Sequence, residues 1–143
     1  MIAYTGGTFD LLHIGHLELL AACRELAGPR GRVVASLNRD EFVERYKGRR
    51  PVQPYAVREE ILRACSLVDL VVCNAGDEDS GIAIDVVRPD VLVIGDDWRD
   101  RDYLGQLGIT AEWLAERRLW IEYVPRTRGT STTGIRAGLE AIA

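Results

Sequence analysis

No run of apolar residues comes near the roughly 18 needed to cross a bilayer, which excludes a membrane-spanning helix. Cysteine is sparse: Cys23, Cys65 and Cys73 form no C-x-x-C pair, and buried free thiols are the expectation. Met1 leads straight into MIAYTGG, without the basic start and small-residue cleavage site of an export signal, so a cytoplasmic location is expected. Positive charge is not in excess either. The 18 Lys and Arg against 22 Asp and Glu leave a net charge of −4, which argues against an extended nucleic-acid face. Histidine is scarcest among the catalytic residue types, with two in the chain, His13 and His16.

What remains is an ordinary globular composition, 47% hydrophobic and 28% charged over 143 residues, enough for one core and therefore one domain, 1–143. The positive charges are grouped, with Arg45, Lys47, Arg49 and Arg50 close together and Arg126, Arg128 and Arg136 near the end. Local patches of this size suit a small polyphosphate.

The apolar pattern alternates between strand and helix. MIAYT reads as a strand ending at Gly6-Gly7, and Ile14 to Leu26 has helical spacing stopped by Gly28-Pro29. Strands follow at Arg32–Leu37, Leu70–Cys73, Val91–Ile94 and Trp120–Val124. Helices fall at about Ala56–Cys65, Ile82–Val87 and Ala111–Arg117, with a last one starting near Ser131 or Thr132. This predicts an α/β, Rossmann-like, doubly wound and mostly parallel sheet with helices on both faces. Ligands of such sheets bind beyond the carboxyl ends of the strands, so the segments after Thr5, Leu37, Ile94 and Val124 should share one rim.

Two polar clusters lie on that rim. In GGTFDLLHIGH, glycines allow close backbone approach to a phosphate and the helix start offers free N–H groups. His13 and His16, three apart, put both imidazoles on one side of the first turn, where they can hydrogen-bond a phosphate and offset charge building on phosphorus. Two surface histidines, or half of a zinc site, are the plainer readings, although no third histidine or cysteine pair completes a zinc set. Asp10 either holds magnesium or caps the helix. The second cluster, RTRGTSTT from Arg126 to Thr133, supplies hydroxyls and amides at another helix start, where Ser131 or Thr132 alternatively serves as an N-cap.

Taken together, GTFDLLHIGH and RTRGTSTT resemble the HxGH nucleotidyltransferases, and specifically the glycerol-3-phosphate cytidylyltransferase group, over nearly the whole chain. Asp40-Glu41-Phe42, the run Lys47-Gly48-Arg49-Arg50, Tyr55 and Arg58 in PYAVREEIL, Val68-Asp69 and GDDW at Gly95–Trp98 extend the resemblance. It implies a magnesium-dependent single displacement in which a polyol phosphate such as glycerol 3-phosphate attacks the α-phosphorus of CTP and pyrophosphate leaves. On that pattern Thr8 and Phe9 present backbone groups to the nucleotide. His13, His16, Arg126, Thr127, Ser131, Thr132 and Asp97 bind it. Lys47 and Arg126 act with the histidines on the reacting phosphates, and Asp10, Lys47, Arg49 and Arg58 meet the acceptor. A homodimer is implied as well.

Departures from the pattern are Arg49 for a lysine, Ser66 for an arginine before Val68-Asp69, and added sequence at Arg99–Glu116. The competing expectations are an adenylyltransferase of the same superfamily, acting on a flavin, heptose or pantetheine phosphate, and a nucleotide-binding regulator without catalysis.

Overall fold

The computed structural model describes residues 1–125 and 132–142. Five strands form one parallel sheet in the order β3-β2-β1-β4-β5: β1 Ile2–Gly7, β2 Arg32–Leu37, β3 Leu70–Cys73, β4 Val91–Gly95 and β5 Trp120–Val124. The helices are α1 Ile14–Ala27, α2 Asp40–Lys47, α3 Tyr55–Ala64, α4 Gly81–Val87, α5 Tyr103–Leu107, α6 Ala111–Glu116 and α7 Thr132–Ile142, with a 3-10 turn at Asp96–Asp100. The expected doubly wound architecture is the one observed.

Alternation along the strands divides the core in two. Ala3, Val33, Ala35 and Leu37 face one layer with Leu20 and Cys23 of α1 and Leu62 of α3. Tyr4, Val34, Leu92 and Ile94 face the other, where Ile84, Tyr103, Leu107, Ile109 and Leu119 close over them. The added sequence after GDDW thus contributes core: Tyr103, Leu107 and Ile109 are buried, and Trp113 and Leu114 pack against them.

The chain passes from β1 outward to β2 and β3, then returns to place β4 on the other side of β1. At this switch point the loops after β1 and β4 diverge and leave a crevice. Three local features differ from the sequence pattern. Gly6 and Gly7 belong to β1, and the bend falls later, where Phe9 (φ 50) and Leu11 (φ 49) adopt left-handed backbone. Gly7 is required for another reason: a Cβ there would lie 3.2 Å from the Phe9 ring, which folds back over it. The charged stretch from Asp40 forms a helix, ended by Gly48 at φ 79.

Candidate active site

A cavity of about 500 Å³ opens over the carboxyl ends of β1, β2 and β4. Its first wall is the β1–α1 loop. His13 is the N-cap of α1, its Nδ1 accepting from Gly15 N at 3.1 Å, while His16 Nδ1 accepts from His13 N at 3.2 Å. This is a capping box built from imidazoles. A nitrogen that accepts carries no hydrogen, so each neutral ring holds its proton on Nε2. The rings stack with centroids 3.9 Å apart, and both line the cavity. The same-side placement read from their spacing is the one observed.

Asp10 behaves differently from a group waiting for acceptor or metal. It is buried, and its carboxylate accepts from Val52 N at 2.7 Å and Gln53 N at 3.0 Å. Arg136 Nη2 lies 3.4 Å from the same carboxylate, and the Asp10 carbonyl accepts from Thr132 Oγ1 at 2.7 Å. Asp10 therefore joins the β1–α1 loop to the segment after α2 and to α7. Gln53 returns the tie by accepting from Leu11 N at 3.1 Å.

Arg58, expected at the acceptor, lies behind the cavity wall with no exposed surface. Nη1 donates to Thr8 O and Asn38 O, Nε to Gln53 O, and Nη2 to Asp40 at 2.6 Å. Three rim segments converge on this one guanidinium, and none of it reaches the cavity. Asp97 is exposed on the 3-10 turn and stands outside the lining, while its neighbours Trp98 and Arg101 are part of it. Thr8, Phe9, Lys47, Arg49 and Thr132 all line the cavity as expected. Arg126, Thr127 and Ser131 lie outside the described residues. Ser66 falls in the α3–β3 connection, at the rim opposite the cavity, so the arginine missing there removes no group from this lining.

The charge of the lining is one-sided. Lys47, Arg49, Arg50, Arg101 and Arg136 are present, and the only carboxylate among the described lining residues is Asp10, already engaged. Partial desolvation is the main influence on the Lys47 ammonium and pulls it below the usual lysine range, with Asp10 opposing and Arg136 and Arg49 reinforcing the shift. The floor is polar and aromatic, with Ser36, Asn74 and Tyr4; burial pushes the Tyr4 phenol up to about 12, so it stays neutral. Arg101 rests on the Trp98 ring at 5.4 Å. Tyr46 and Asn74 join the lining without a motif to mark them, and Arg101 comes from the mixed-charge run of the added segment. Asn38 and Asn74, polar residues directly after the buried strands β2 and β3, carried a usable signal.

A cavity of this charge at a helix N-terminus has the chemistry suited to phosphates and to charge building on phosphorus. Comparison with known proteins agrees. Residues 4–138 match the cytidylyltransferase-like family. An FAD synthase of Korarchaeum cryptofilum is 36% identical over 132 residues, 90% of this chain and 84% of that protein. The bifunctional protein HldE of Acidiphilium cryptum is 45% identical over 133 residues, and the match spans 26% of its length. Among solved structures, a protein of unknown function from Archaeoglobus fulgidus has a TM-score of 0.64 at 23% identity, covering 92% of this chain and 94% of that one, a likeness of fold. With the family's match running nearly end to end and spanning the cationic cavity at the switch point, this chain belongs to the cytidylyltransferase-like family and is a nucleotidyltransferase.

Proposed function

We propose that the protein transfers the adenylyl group of ATP to a phosphorylated small molecule, with flavin mononucleotide as the first acceptor to test. The observation that carries the transfer reading is the lining itself: five cationic side chains and one engaged carboxylate, in a chain of net charge −4. The base rests on the relatives. FAD is an adenylyl group joined to flavin mononucleotide, and the FAD synthase of Korarchaeum cryptofilum covers this chain and is covered by it almost completely. The CTP expectation drawn from GDDW has no comparable support, and the HldE relatives are matched over about a quarter of their length, 26% in Acidiphilium cryptum.

The chemistry is a single displacement. An oxygen of the acceptor phosphate forms a bond to the α-phosphorus as the bond from that phosphorus to the bridging oxygen breaks, and that oxygen leaves with pyrophosphate. A phosphate monoester is already ionised near neutrality, its second pKa being about 6, so no general base is needed. This accords with a cavity whose lone described carboxylate is occupied. His13 and His16 donate through Nε2 to oxygens gaining charge, Thr132 and Arg136 face the triphosphate, and Lys47 and Arg49 hold the acceptor phosphate. Among the described residues no group of three or more His, Cys, Asp or Glu is placed to hold a metal. A magnesium ion would therefore be carried by the triphosphate oxygens, which suits its preference for phosphate and water ligands.

The test is pyrophosphate release with magnesium, pairing ATP or CTP with flavin mononucleotide, heptose phosphate or glycerol 3-phosphate. Turnover with ATP and flavin mononucleotide is the expected result. Turnover with CTP alone overturns the adenylyl reading, and turnover with ATP and a sugar phosphate alone moves the acceptor.

A further inference from the structure

The first turn of α2 has a firm anchor in the pair Asp40–Arg58, but Lys47 sits at the other end of this 8-residue helix. Only Phe42 and Val43 of α2 are buried in the core, both in the N-terminal half of the helix, so apolar packing does not reach its last turn. A group that stands outside the cavity joins that last turn to the first. Asp77, in the loop between β3 and α4, accepts from Arg39 Nε at 3.0 Å and Nη2 at 2.5 Å, and from Arg45 Nη2 at 3.1 Å. Arg39 is the N-cap of α2 and Arg45 lies in its last turn. Glu78 adds a bond from Arg45 Nε at 2.7 Å.

The grip has a rigid base. Asp77 has left-handed backbone, φ 53, and its carboxylate is mostly buried. Its N–H donates to Asn74 O at 3.2 Å, and Asn74 Nδ2 donates both to Asp77 O at 3.1 Å and to Asn38 Oδ1 at 3.0 Å. Asn74 N in turn donates to Leu37 O at the end of β2. The carboxylate is thus fixed to the sheet on one side and to both ends of α2 on the other.

We propose that Asp77 is a positioning residue for the transfer reaction: one carboxylate ties the two ends of α2 and so sets Lys47 against the acceptor phosphate. This rests on the reading of Lys47 as the acceptor-phosphate group. Nothing in the transferring chemistry touches Asp77 itself, so its loss should act through binding.

Asp77→Asn keeps the shape and tolerates the left-handed backbone, and it removes the charge that holds Arg39 and joins it to Arg45, leaving Arg45 to Glu78 alone. The expected result is a rise of about tenfold in the KM for the acceptor with kcat within about twofold, the pattern of a displaced binding group. Asp77→Asn combined with Lys47→Ala should be no worse than Lys47→Ala alone, because a group already removed cannot be misplaced. Hydrogen exchange at the Tyr46 and Lys47 amides should quicken in Asp77→Asn without any substrate present. Additive effects in the double variant, or unchanged exchange at those amides, overturn the proposal. The kinetic cycle is run with whichever nucleotide and acceptor turn over, and exchange needs neither, so failure of the ATP reading leaves this test standing.

Discussion

A guanidinium with no exposed surface is held by four acceptors drawn from residues 8, 38, 40 and 53. Arg58→Met fits the volume but leaves Asp40 without its partner and three carbonyls without a donor, so unfolding free energy should fall by about 3–5 kcal/mol in urea titration. Arg58→Lys should recover little of this, since an ammonium has too few donors in the wrong geometry. In the sequence Arg58 looks like a functional cation, because burial of a charge depends on carbonyls brought from three separate segments and no local pattern encodes that meeting. The placement of His16 was legible, since which side of the first turn it faces follows from spacing alone. His16→Ala should lower kcat about 10²-fold, the scale for losing one preorganised donor, with a melting profile close to wild type. A rate within a few-fold of wild type would remove His16 from the reaction.

Elements built from apolar runs were legible for the same local reason. β2, β3 and β5 fall on the expected residues, because a short β-branched or aromatic run reads as a strand whether it is buried, as in β2, or at the sheet's edge, as in β3 and β5. α2 was not legible: its residues DEFVERYK bury only Phe42 and Val43, and besides the exposed pairs of Arg50 with Glu41 and Glu44 its support comes from Asp77, Glu78 and Arg58, distant in sequence. α5 was hidden in the same way, a short helix whose Tyr103 and Leu107 gain a core only once α4 and β4 are beside them. Element contacts also carry the pH response. Asp69, just before β3, accepts from Val33 N at 2.7 Å and from Arg24 Nη1 of α1 at 2.8 Å. The Val33 N–H, aided by Arg24, holds its carboxyl below the usual carboxylate range. A depressed folded-state pKa means that the stabilisation is present above the ordinary value of about 4 and is lost as pH falls through the lower, folded one. Stability measured by urea unfolding from pH 7 to pH 3 should therefore decline less steeply in Asp69→Asn than in wild type. Equal slopes would show that this contact does not contribute.

At the scale of the whole molecule, charge is partitioned. A chain of net −4 gathers five cations on one cavity, of which only Arg50 and Arg136 are paired with carboxylates among the described residues, so a bound polyanion gains the attraction of the group. ATP at a hundredfold excess over its Kd should stabilise the fold by about 2.7 kcal/mol, an upward shift in Tm of roughly 8 °C, and 1 M salt should diminish it. CTP should give the smaller shift if the adenylyl reading holds. The sheet order was legible only as a class, because strand neighbours are set by long-range pairing, while the rim on which the site sits followed from the doubly wound pattern alone.

The bond from Thr132 to the Asp10 carbonyl joins residues 122 positions apart. A ribosome releases the chain from its N-terminus, so β1, the histidines and all five strands are made before Thr132 exists. Neither core layer includes a described residue of α7, so the cavity wall that Thr132, Thr133 and Arg136 supply is fastened to a core built without it. Folding of the sheet and completion of the cavity are thus separable, joined across 122 positions by one hydroxyl and one carbonyl.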